Sequence, residues 1–299
     1  MRQHVSWAKS AGIDGFIVSW KDTPALDRRL ASLIEIADQQ HFKLAIIYEG
    51  LDFERRPLAA GRVAADLDLF ARRYARHPAF RIYPKPLVIW SGTWRFSRAD
   101  IARVSREVRD RMLLLASEKN KYDYQSLADL VDGDAYYWSS VDPRKYPRYP
   151  RKLVEMGAAV HAHRGLWIPP AAVGFDARLI GGTSVVLRRD GQTLREEMNG
   201  AIASSPDAVG LISWNEFSEN SHVEPSRKYG LRYLHVLADI RGTKVVPAIP
   251  DFNSDETPAR GNSYGATVLG GVSAVVAVLF VALFLRRRSA RAQPRAREL

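Results

Sequence analysis

Two glutamates three residues apart form the densest group of reactive side chains in this 299-residue chain. Glu216 and Glu219 follow an apolar run and a tryptophan, with Asn215 directly before the first of them. At this spacing two glutamates approach to about 5–6 Å in a turn, whereas extended backbone separates them by about 10 Å. Converging carboxyls allow one to be protonated and the other ionised, as glycoside cleavage requires. The alternative is a solvated loop with ordinary acidic residues.

Further polar and aromatic residues lie at or just past the ends of other apolar runs. Glu49 ends one run, and the Asn215 amide and Glu224 flank the glutamate pair. Aromatic faces suit the apolar faces of sugar rings, and carboxylates suit sugar hydroxyls, so the set predicts a carbohydrate cleft. The alternative is that the aromatics cap a core. The predicted substrate-binding aromatics are Trp20, Tyr48, Trp90, Trp138 and Trp214.

Short apolar runs alternate with helical patterns across residues 1–241, which predicts an α/β fold. The alternation is typical of a (β/α)8 barrel of the TIM type, whose active site lies at the C-terminal ends of its strands. The alternative, an open doubly wound sheet, has no glycine-rich phosphate loop here to support it. The predicted strands are Ile13–Trp20, Phe42–Tyr48, Leu87–Trp90, Met112–Ala116, Ala135–Trp138, Leu166–Ile168 and Val209–Trp214.

These seven runs leave the barrel one strand short. Because the chain opens in a helix at His4–Ser10, the missing element would be a first strand before Met1. Without it, Ile13–Trp20 and Val209–Trp214 would both have unpaired edges. We therefore expect that the chain lacks its natural N-terminus or has a misassigned start, and that residues 1–242 alone fold poorly.

The C-terminal residues predict a membrane anchor. Residues 242–265 are an aperiodic linker, and Ala266–Leu285 contains 20 residues without a charge. A helix of that length spans about 30 Å, the thickness of the bilayer core. The tail at 286–299 holds six arginines and one glutamate, which predicts a single-pass protein of the cell membrane with a cytoplasmic tail and an extracytoplasmic barrel. Met1–Trp20 is not an export signal, so the two ends disagree.

Composition excludes several classes of protein. Apolar residues make up 46% of the chain, enough for a core, and there is no cysteine for a disulfide or a thiolate site. The net charge is +11, but the tail alone contributes five of those charges and no basic run remains elsewhere, so nucleic-acid binding is not expected. His161 and His163 could hold a metal, although helix C-terminal histidines are commoner. No cofactor is predicted.

The run from Ile212 to Glu219, ending in Val223-Glu224-Pro225, resembles the signature of glycoside hydrolase family 99, the endo-α-mannosidases and related bacterial polysaccharide hydrolases. Ile47-Tyr48-Glu49 and His77-Pro78-Ala79-Phe80 are similar to further segments of that family, in the same order. Phe217 and Ser218 stand where the family usually has Trp and His. The signature of glycoside hydrolase family 71, the α-1,3-glucanases, is also similar.

The resemblance implies a (β/α)8 fold and endo-acting cleavage of an α-glycoside, such as α-mannan, with retention and without a metal. It implies that Glu216 acts as base on the 2-hydroxyl of the sugar, giving a 1,2-anhydro sugar. Glu219 would protonate the leaving oxygen and then activate water, and Glu49 would bind sugar hydroxyls. Two alternatives stay open: an α-1,3-glucanase-like hydrolase, and a catalytically inactive cell-surface carbohydrate-binding protein.

Overall fold

The computed structural model describes residues 1–243 and 280–285, with side-chain surroundings for the first of these ranges. The strands are β1 (Gly15–Trp20), β2 (Lys43–Glu49), β3 (Leu87–Ser91), β4 (Leu113–Ala116), β5 (Gly133–Ala135), β6 (Leu166–Ile168), β7 (Pro170–Ala172), β8 (Phe175–Asp176), β9 (Val185–Val186), β10 (Ala208–Ile212) and β11 (Phe280–Leu285). The α-helices are α1 (Arg2–Ser10), α2 (Pro24–Gln39), α3 (Ala60–Arg73), α4 (Arg98–Val108), α5 (Lys121–Gln125), α6 (Tyr149–Ala162), α7 (Gln192–Ala203) and α8 (Arg232–Arg241).

The principal sheet closes into a barrel. Its nine strands run in the order β6-β5-β4-β3-β2-β1-β11-β10-β7, and β8 pairs with β9 in a separate hairpin. The ring closes because β6 and β7 are consecutive in the chain on either side of Pro169, so they share one of eight positions. All pairs between β1 and β6, and the β10–β7 pair, are parallel. The predicted TIM-like architecture is therefore confirmed.

The position between β1 and β10 is filled by the C-terminal strand β11. These two strands do not pair with each other. Instead β11 pairs antiparallel with both, and Ala282 lies opposite Phe16 on one side and Leu211 on the other. This arrangement gives the edges of β1 and β10 backbone partners on both sides.

This strand differs from the transmembrane helix predicted over Ala266–Leu285. Residues 280–285 form β11, and the remainder of that span lies outside the described residues, as do the predicted linker from 244 onward and the tail. A short apolar run does not by itself distinguish helix from strand, and here two unpaired edges favour the strand. No helix within residues 1–243 and 280–285 has the length and apolarity needed to cross a bilayer.

Two apolar layers hold the barrel, and strand parity decides which layer a side chain enters. Along β2, Ala45 and Ile47 pack in a cluster inside the barrel, whereas Leu44, Ile46 and Tyr48 pack outside against the helices. Both faces are apolar because a parallel sheet is covered on both sides. A polar residue on the inner face at the end of a strand therefore points into the mouth of the barrel.

The connecting segments begin and end where local chemistry dictates. Thr23 caps α2 by accepting from the Leu26 amide, with Pro24 as the first helical residue, and Ser97 caps α4.

The strand predicted at Ala135–Trp138 was placed too late, because β5 occupies Gly133–Ala135 and the aromatic run continues into the loop. At Gly133 a Cβ would stand 2.1 Å from the Leu166 carbonyl oxygen, so the β5–β6 approach requires glycine.

Candidate active site

A tight loop after β10 carries the two glutamates. The Glu216 amide donates to Ser213 Oγ at 2.9 Å, and the Ser221 amide donates back to the Glu216 carbonyl oxygen at 3.2 Å. The Ser213 amide donates to the Ser221 carbonyl oxygen at 3.1 Å. These bonds close residues 213–221 into a compact turn, so Glu216 and Glu219 are held on one short segment at the end of β10.

The Glu216 carboxylate is held in place by its own turn. The side chain is 8% exposed, and its Oε1 accepts a hydrogen bond from the Ser218 amide at 3.2 Å and another from the Ser218 hydroxyl. A carboxylate that accepts two local bonds has a fixed orientation. Glu216 is therefore suited to accept a proton from a group in the barrel mouth.

Glu219 has a raised pKa. Burial and then the negative charge of Glu216 raise the pKa of Glu219 from 4.5 to about 7, against the opposing charge of Arg55. A nearby like charge disfavours the ionised form, so Glu219 still carries its proton in part near neutral pH. A carboxyl that is protonated near neutral pH can act as the acid in glycoside cleavage.

Glu49 reaches the same mouth from the end of β2. Ser19, at the end of β1, donates its hydroxyl to Glu49 Oε1 at 2.9 Å, and Ser91 of β3 provides a second side-chain hydrogen bond. Burial raises the pKa of Glu49, whereas these bonds and the charges of Lys21 and Arg55 lower it. Three adjacent strands thus present polar ends on the inner face, with oxygens suited to sugar hydroxyls.

Tyr137 lies near the three carboxyls of the mouth. Its pKa is raised above the ordinary tyrosine value by burial first, and then by the charges of Glu49, Glu219 and Glu216. A neutral hydroxyl near three carboxyls is a hydrogen-bond donor placed among acceptors. The side chain packs against the cluster inside the barrel, so the ends of β1, β2, β3, β5 and β10 converge on one mouth.

A buried cation lies behind the glutamate turn. Arg188 is 7% exposed, donates to the Asn220 carbonyl oxygen at 2.8 Å, and lies 4.3 and 4.5 Å from the ring centroids of Tyr229 and Tyr233. Its guanidinium is enclosed by aromatic rings and supports the turn from behind.

His222 completes this support. Burial and then the neighbouring Arg188 charge lower the pKa of His222 to about 3, so the imidazole is neutral. The Phe217 ring stacks on it with centroids 4.0 Å apart and an interplanar angle of 21°. Phe217, which stands where the resembled family usually has tryptophan, therefore packs against His222 behind the turn, although Phe217 is 46% exposed.

Four predicted substrate-binding aromatics do not reach the mouth. Trp20, Tyr48, Trp90 and Trp214 are 0% exposed and pack in the outer layer between the barrel and its helices. Strand parity gives the reason, since each lies next to an inward-facing residue in the chain. The Tyr48 hydroxyl donates to Asp66 at 2.9 Å within that layer, so its polar end is also used internally. These residues are core residues, and the prediction of sugar contacts was wrong for them.

The remaining predicted residues are distributed around the barrel. Trp138 is 39% exposed beyond the end of β5, in reach of a ligand, and Asn215 is half-buried beside Glu216. The carboxylate of Glu224 lies 3.4 Å from Nδ1 of His4, on the first helix, and is engaged there. Trp138 and Asn215 therefore stay candidates for sugar binding.

Two residues of the mouth were not predicted as site residues. Arg55 lies in the loop after β2, where no sequence pattern marks a basic residue as facing a carboxyl. Tyr137 follows β5 with the inward parity of Ala135, and that alternation could have identified it. The same alternation could have shown that Glu49 faces inward, like Ile47 two residues earlier, and that Tyr48 faces outward.

No group of three or more His, Asp or Glu side chains within residues 1–243 could hold a metal ion. His161 is engaged elsewhere, with Nε2 at 3.0 Å from Asp207 Oδ2 at the end of α6.

No protein-family model and no curated protein matches this sequence. Among solved structures, the GH99 endo-α-mannosidase of Bacteroides thetaiotaomicron matches with a TM-score of 0.68 and 18% identity, over 82% of this chain and 80% of that one. The same enzyme in complex with bis-tris-propane matches with a TM-score of 0.68 and 18% identity, over 81% and 84% of the two chains. The chain therefore shares the barrel fold of these glycoside hydrolases.

Proposed function

We propose that this protein is a glycoside hydrolase that cleaves an α-linked polysaccharide, α-mannan or a related polymer, within the chain and with retention. The observation that carries the proposal is the Glu216–Glu219 turn in the barrel mouth, in which Glu219 has its pKa raised to about 7. The fold shared with endo-α-mannosidase structures supports the same reaction class.

In the first step, Glu216 takes the proton of the 2-hydroxyl while that oxygen bonds to the anomeric carbon. The bond from the anomeric carbon to the leaving oxygen breaks, and Glu219 gives its proton to that oxygen. The product on the enzyme is a 1,2-anhydro sugar, with Glu216 protonated and Glu219 ionised. The fixed orientation of Glu216 and the elevated pKa of Glu219 suit these roles.

In the second step, Glu219 takes a proton from water as the water oxygen bonds to the anomeric carbon. The bond from that carbon to the 2-oxygen breaks, and Glu216 returns its proton to the 2-oxygen. Two successive inversions give overall retention. Glu49 and Tyr137 border this position and are suited to hold sugar hydroxyls.

The test uses the full-length chain with α-mannan and α-1,3-glucan oligosaccharides, and detects products by mass spectrometry and their anomeric configuration by NMR. We expect mannan fragments with retained configuration. Glu216→Gln and Glu219→Gln should each reduce the rate by about 10²–10⁴, since each removes a proton-transfer group. Glu35→Gln, a change at an exposed residue of α2, is the matched control. Equal rates for Glu219→Gln and the control would refute the proposal, and cleavage of glucan alone would change the substrate.

A second candidate is a carbohydrate-binding protein without catalysis. It is favoured by the Ser218 hydroxyl, which occupies Oε1 of Glu216, and by Phe217, which turns toward His222 where the resembled family has its own aromatic residue. Glycan binding without any product from the full-length chain would support it over hydrolysis.

We further propose that the protein is anchored in the cell membrane, with the barrel outside and the arginine tail in the cytoplasm. The support is the uncharged span Ala266–Leu285 followed by arginines. Residues 280–285 cannot be a barrel strand and a bilayer helix at once, so the two placements compete. Recovery of the full-length protein in the membrane fraction after an alkaline wash is expected, and recovery in the soluble fraction would contradict the proposal.

A further inference from the structure

A second cleft opens on the outer side of the β5 end. It has a volume of about 630 Å³ and lies between the loop after β5, the first turn of α6 and Ser184. Volumes of about 300–1,000 Å³ are typical of small-ligand sites. Tyr136 lines this cleft and belongs to the outer layer, whereas the next residue, Tyr137, faces the carboxyls. The cleft therefore adjoins the candidate active site but is separate from it.

The lining of this cleft is positive. Lys145, Arg148 and Lys152 line it, and no Asp or Glu does. The nearest acidic residues on the same segments are engaged elsewhere: Asp142 is 3.5 Å from Arg144, and Glu155 is bridged by two other cations. Among residues 1–243, none of the three lining cations has a carboxylate within salt-bridge distance. Lys152 also interacts electrostatically with the buried carboxyl of Asp134, so Lys145 and Arg148 supply most of the uncompensated positive charge of the cleft. Positive charge around one cavity favours an anionic ligand.

Aromatic surface accompanies the charge. Trp138 is 39% exposed and Tyr146 60% exposed, and both line the cleft. Lys119 Nζ lies 5.6 Å from the Trp138 ring centroid, so a further cation stands at the rim. An exposed aromatic face beside cations suits a ring with apolar C–H groups and an anionic substituent. A basic surface that only contacts water gives no reason for exposed aromatic rings beside the cations, whereas a sugar-binding cleft does.

A tyrosine hydroxyl supplies a polar contact at the wall of the cleft. The Tyr136 hydroxyl accepts from Lys152 Nζ at 2.9 Å, which fixes that cation at the wall. An oxygen of a bound ligand would face Lys152.

We propose that this cationic cleft, formed by Tyr136, Trp138, Lys145, Tyr146, Arg148 and Lys152, binds a sugar unit that carries an anionic substituent: a phosphate, sulfate or carboxylate. The inference rests on the proposed function, because it makes the substrate an anionic glycan whose charged unit occupies the cleft while a neighbouring linkage enters the carboxyl mouth. The cations neutralise the substituent, and the exposed aromatics contact the ring that carries it.

The experiment measures binding to the full-length chain by calorimetry, with two mannan oligosaccharides of equal length, one neutral and one carrying a single phosphate. We expect the phosphorylated one to bind at least tenfold more tightly, and added salt to reduce the difference. The double variant Lys145→Gln/Arg148→Gln should lose this preference. The double variant Arg28→Gln/Arg106→Gln, which removes the same charge from exposed positions of α2 and α4, should keep it.

Equal affinity for the two oligosaccharides, or a preference that survives Lys145→Gln/Arg148→Gln, would overturn the inference. Inorganic phosphate is the third probe: if it displaces the phosphorylated oligosaccharide at equal concentration, the cleft binds a free anion and the sugar assignment fails. Hydrolysis is measured separately. If the chain prefers the phosphorylated oligosaccharide, loses that preference in Lys145→Gln/Arg148→Gln, and yields no product, the hydrolase function is refuted and the cleft assignment stands. If it binds and cleaves both oligosaccharides equally well, the cleft assignment is refuted and the hydrolase function stands.

Discussion

Replacing Glu219 with glutamine tests the carboxyl pair without relying on activity. A pKa raised from 4.5 to about 7 corresponds to a cost of about 3 kcal/mol for the ionised form, at about 1.4 kcal/mol per pH unit. Because Glu219 is only half-buried, solvent screening reduces this to about 2 kcal/mol. Glutamine keeps the shape of the side chain and removes the charge, so this cost disappears in the variant.

The sign of the pH dependence follows from proton linkage. The folded chain retains the Glu219 proton up to about pH 7, whereas the unfolded chain loses it near pH 4.5. Stability is therefore lost as the pH rises between these values, and the loss is complete above pH 7. Glu219→Gln should match the parent at pH 4 and exceed it by about 2 kcal/mol at pH 8. For a domain of this size, that difference raises Tm by about 4–8 °C.

The assay is urea unfolding of the full-length chain, followed by tryptophan fluorescence at pH 4, 6 and 8. Other buried carboxyls with raised pKa, such as Glu118 and Asp134, are present in both proteins, so the difference isolates Glu219. Glu35→Gln on the exposed face of α2 is the control and should show no such gain. If Glu219→Gln is no more stable than this control at pH 8, the carboxyl is not buried beside Glu216 and the reasoning fails.

Three further changes test other parts of the structure. Arg55→Gln removes a charge that lowers the pKa of Glu219, so the alkaline limb of the activity–pH profile should move to higher pH, less so at high salt. Arg188→Met should raise the pKa of His222, measured by NMR, and reduce kcat about tenfold, because the turn loses a charge-assisted hydrogen bond. In chains whose residues 280–285 form β11 and not a membrane helix, Ala282→Pro removes a backbone donor of β11 and should lower the free energy of unfolding by about 1–3 kcal/mol in urea.

Each of these changes has a matched control. Arg56→Gln alters the neighbouring loop residue, which pairs with Asp52, and should leave the alkaline limb in place. Arg178→Met removes an exposed arginine and should leave the His222 titration unchanged. Ala282→Val retains the backbone amide and should be tolerated in a strand. Equal urea midpoints for the proline and valine variants would contradict the placement of β11, and a shift by Arg56→Gln as large as that of Arg55→Gln would contradict the role of Arg55.

The sequence predicted the barrel because strong local patterns encode it. Every predicted apolar run forms a strand or overlaps one by at least a residue, because a short run that is apolar on both faces is typical of a buried parallel strand. The same property obscured the direction of the aromatics: with both faces apolar, only the single polar neighbours Ser19 and Ser91 indicate that Trp20 and Trp90 enter the outer layer. The glutamate pair was found because Glu216 and Glu219 need only their own turn to meet.

The contacts between distant segments could not be predicted in the same way. Arg55 reaches Glu219 from a loop 164 positions away in the chain, and Arg188 supports the turn from another loop. Such contacts depend on how loops pack, and loops have no periodicity to indicate it. The position of β11 is a further example, because its partners on both sides lie far from it in sequence.

Consecutive tyrosines at the end of β5 have a consequence for how this protein can change during evolution. Tyr136 borders a chamber of positive charge and Tyr137 one of negative charge, and a single peptide bond separates the two. Deleting or inserting one residue between 133 and 137 would exchange the side chains and place each in the wrong chamber. That segment can therefore vary only by substitution. The loop at 139–148, by contrast, can change in length, so ligand preference in the outer chamber can diverge while Glu216 and Glu219 stay in place.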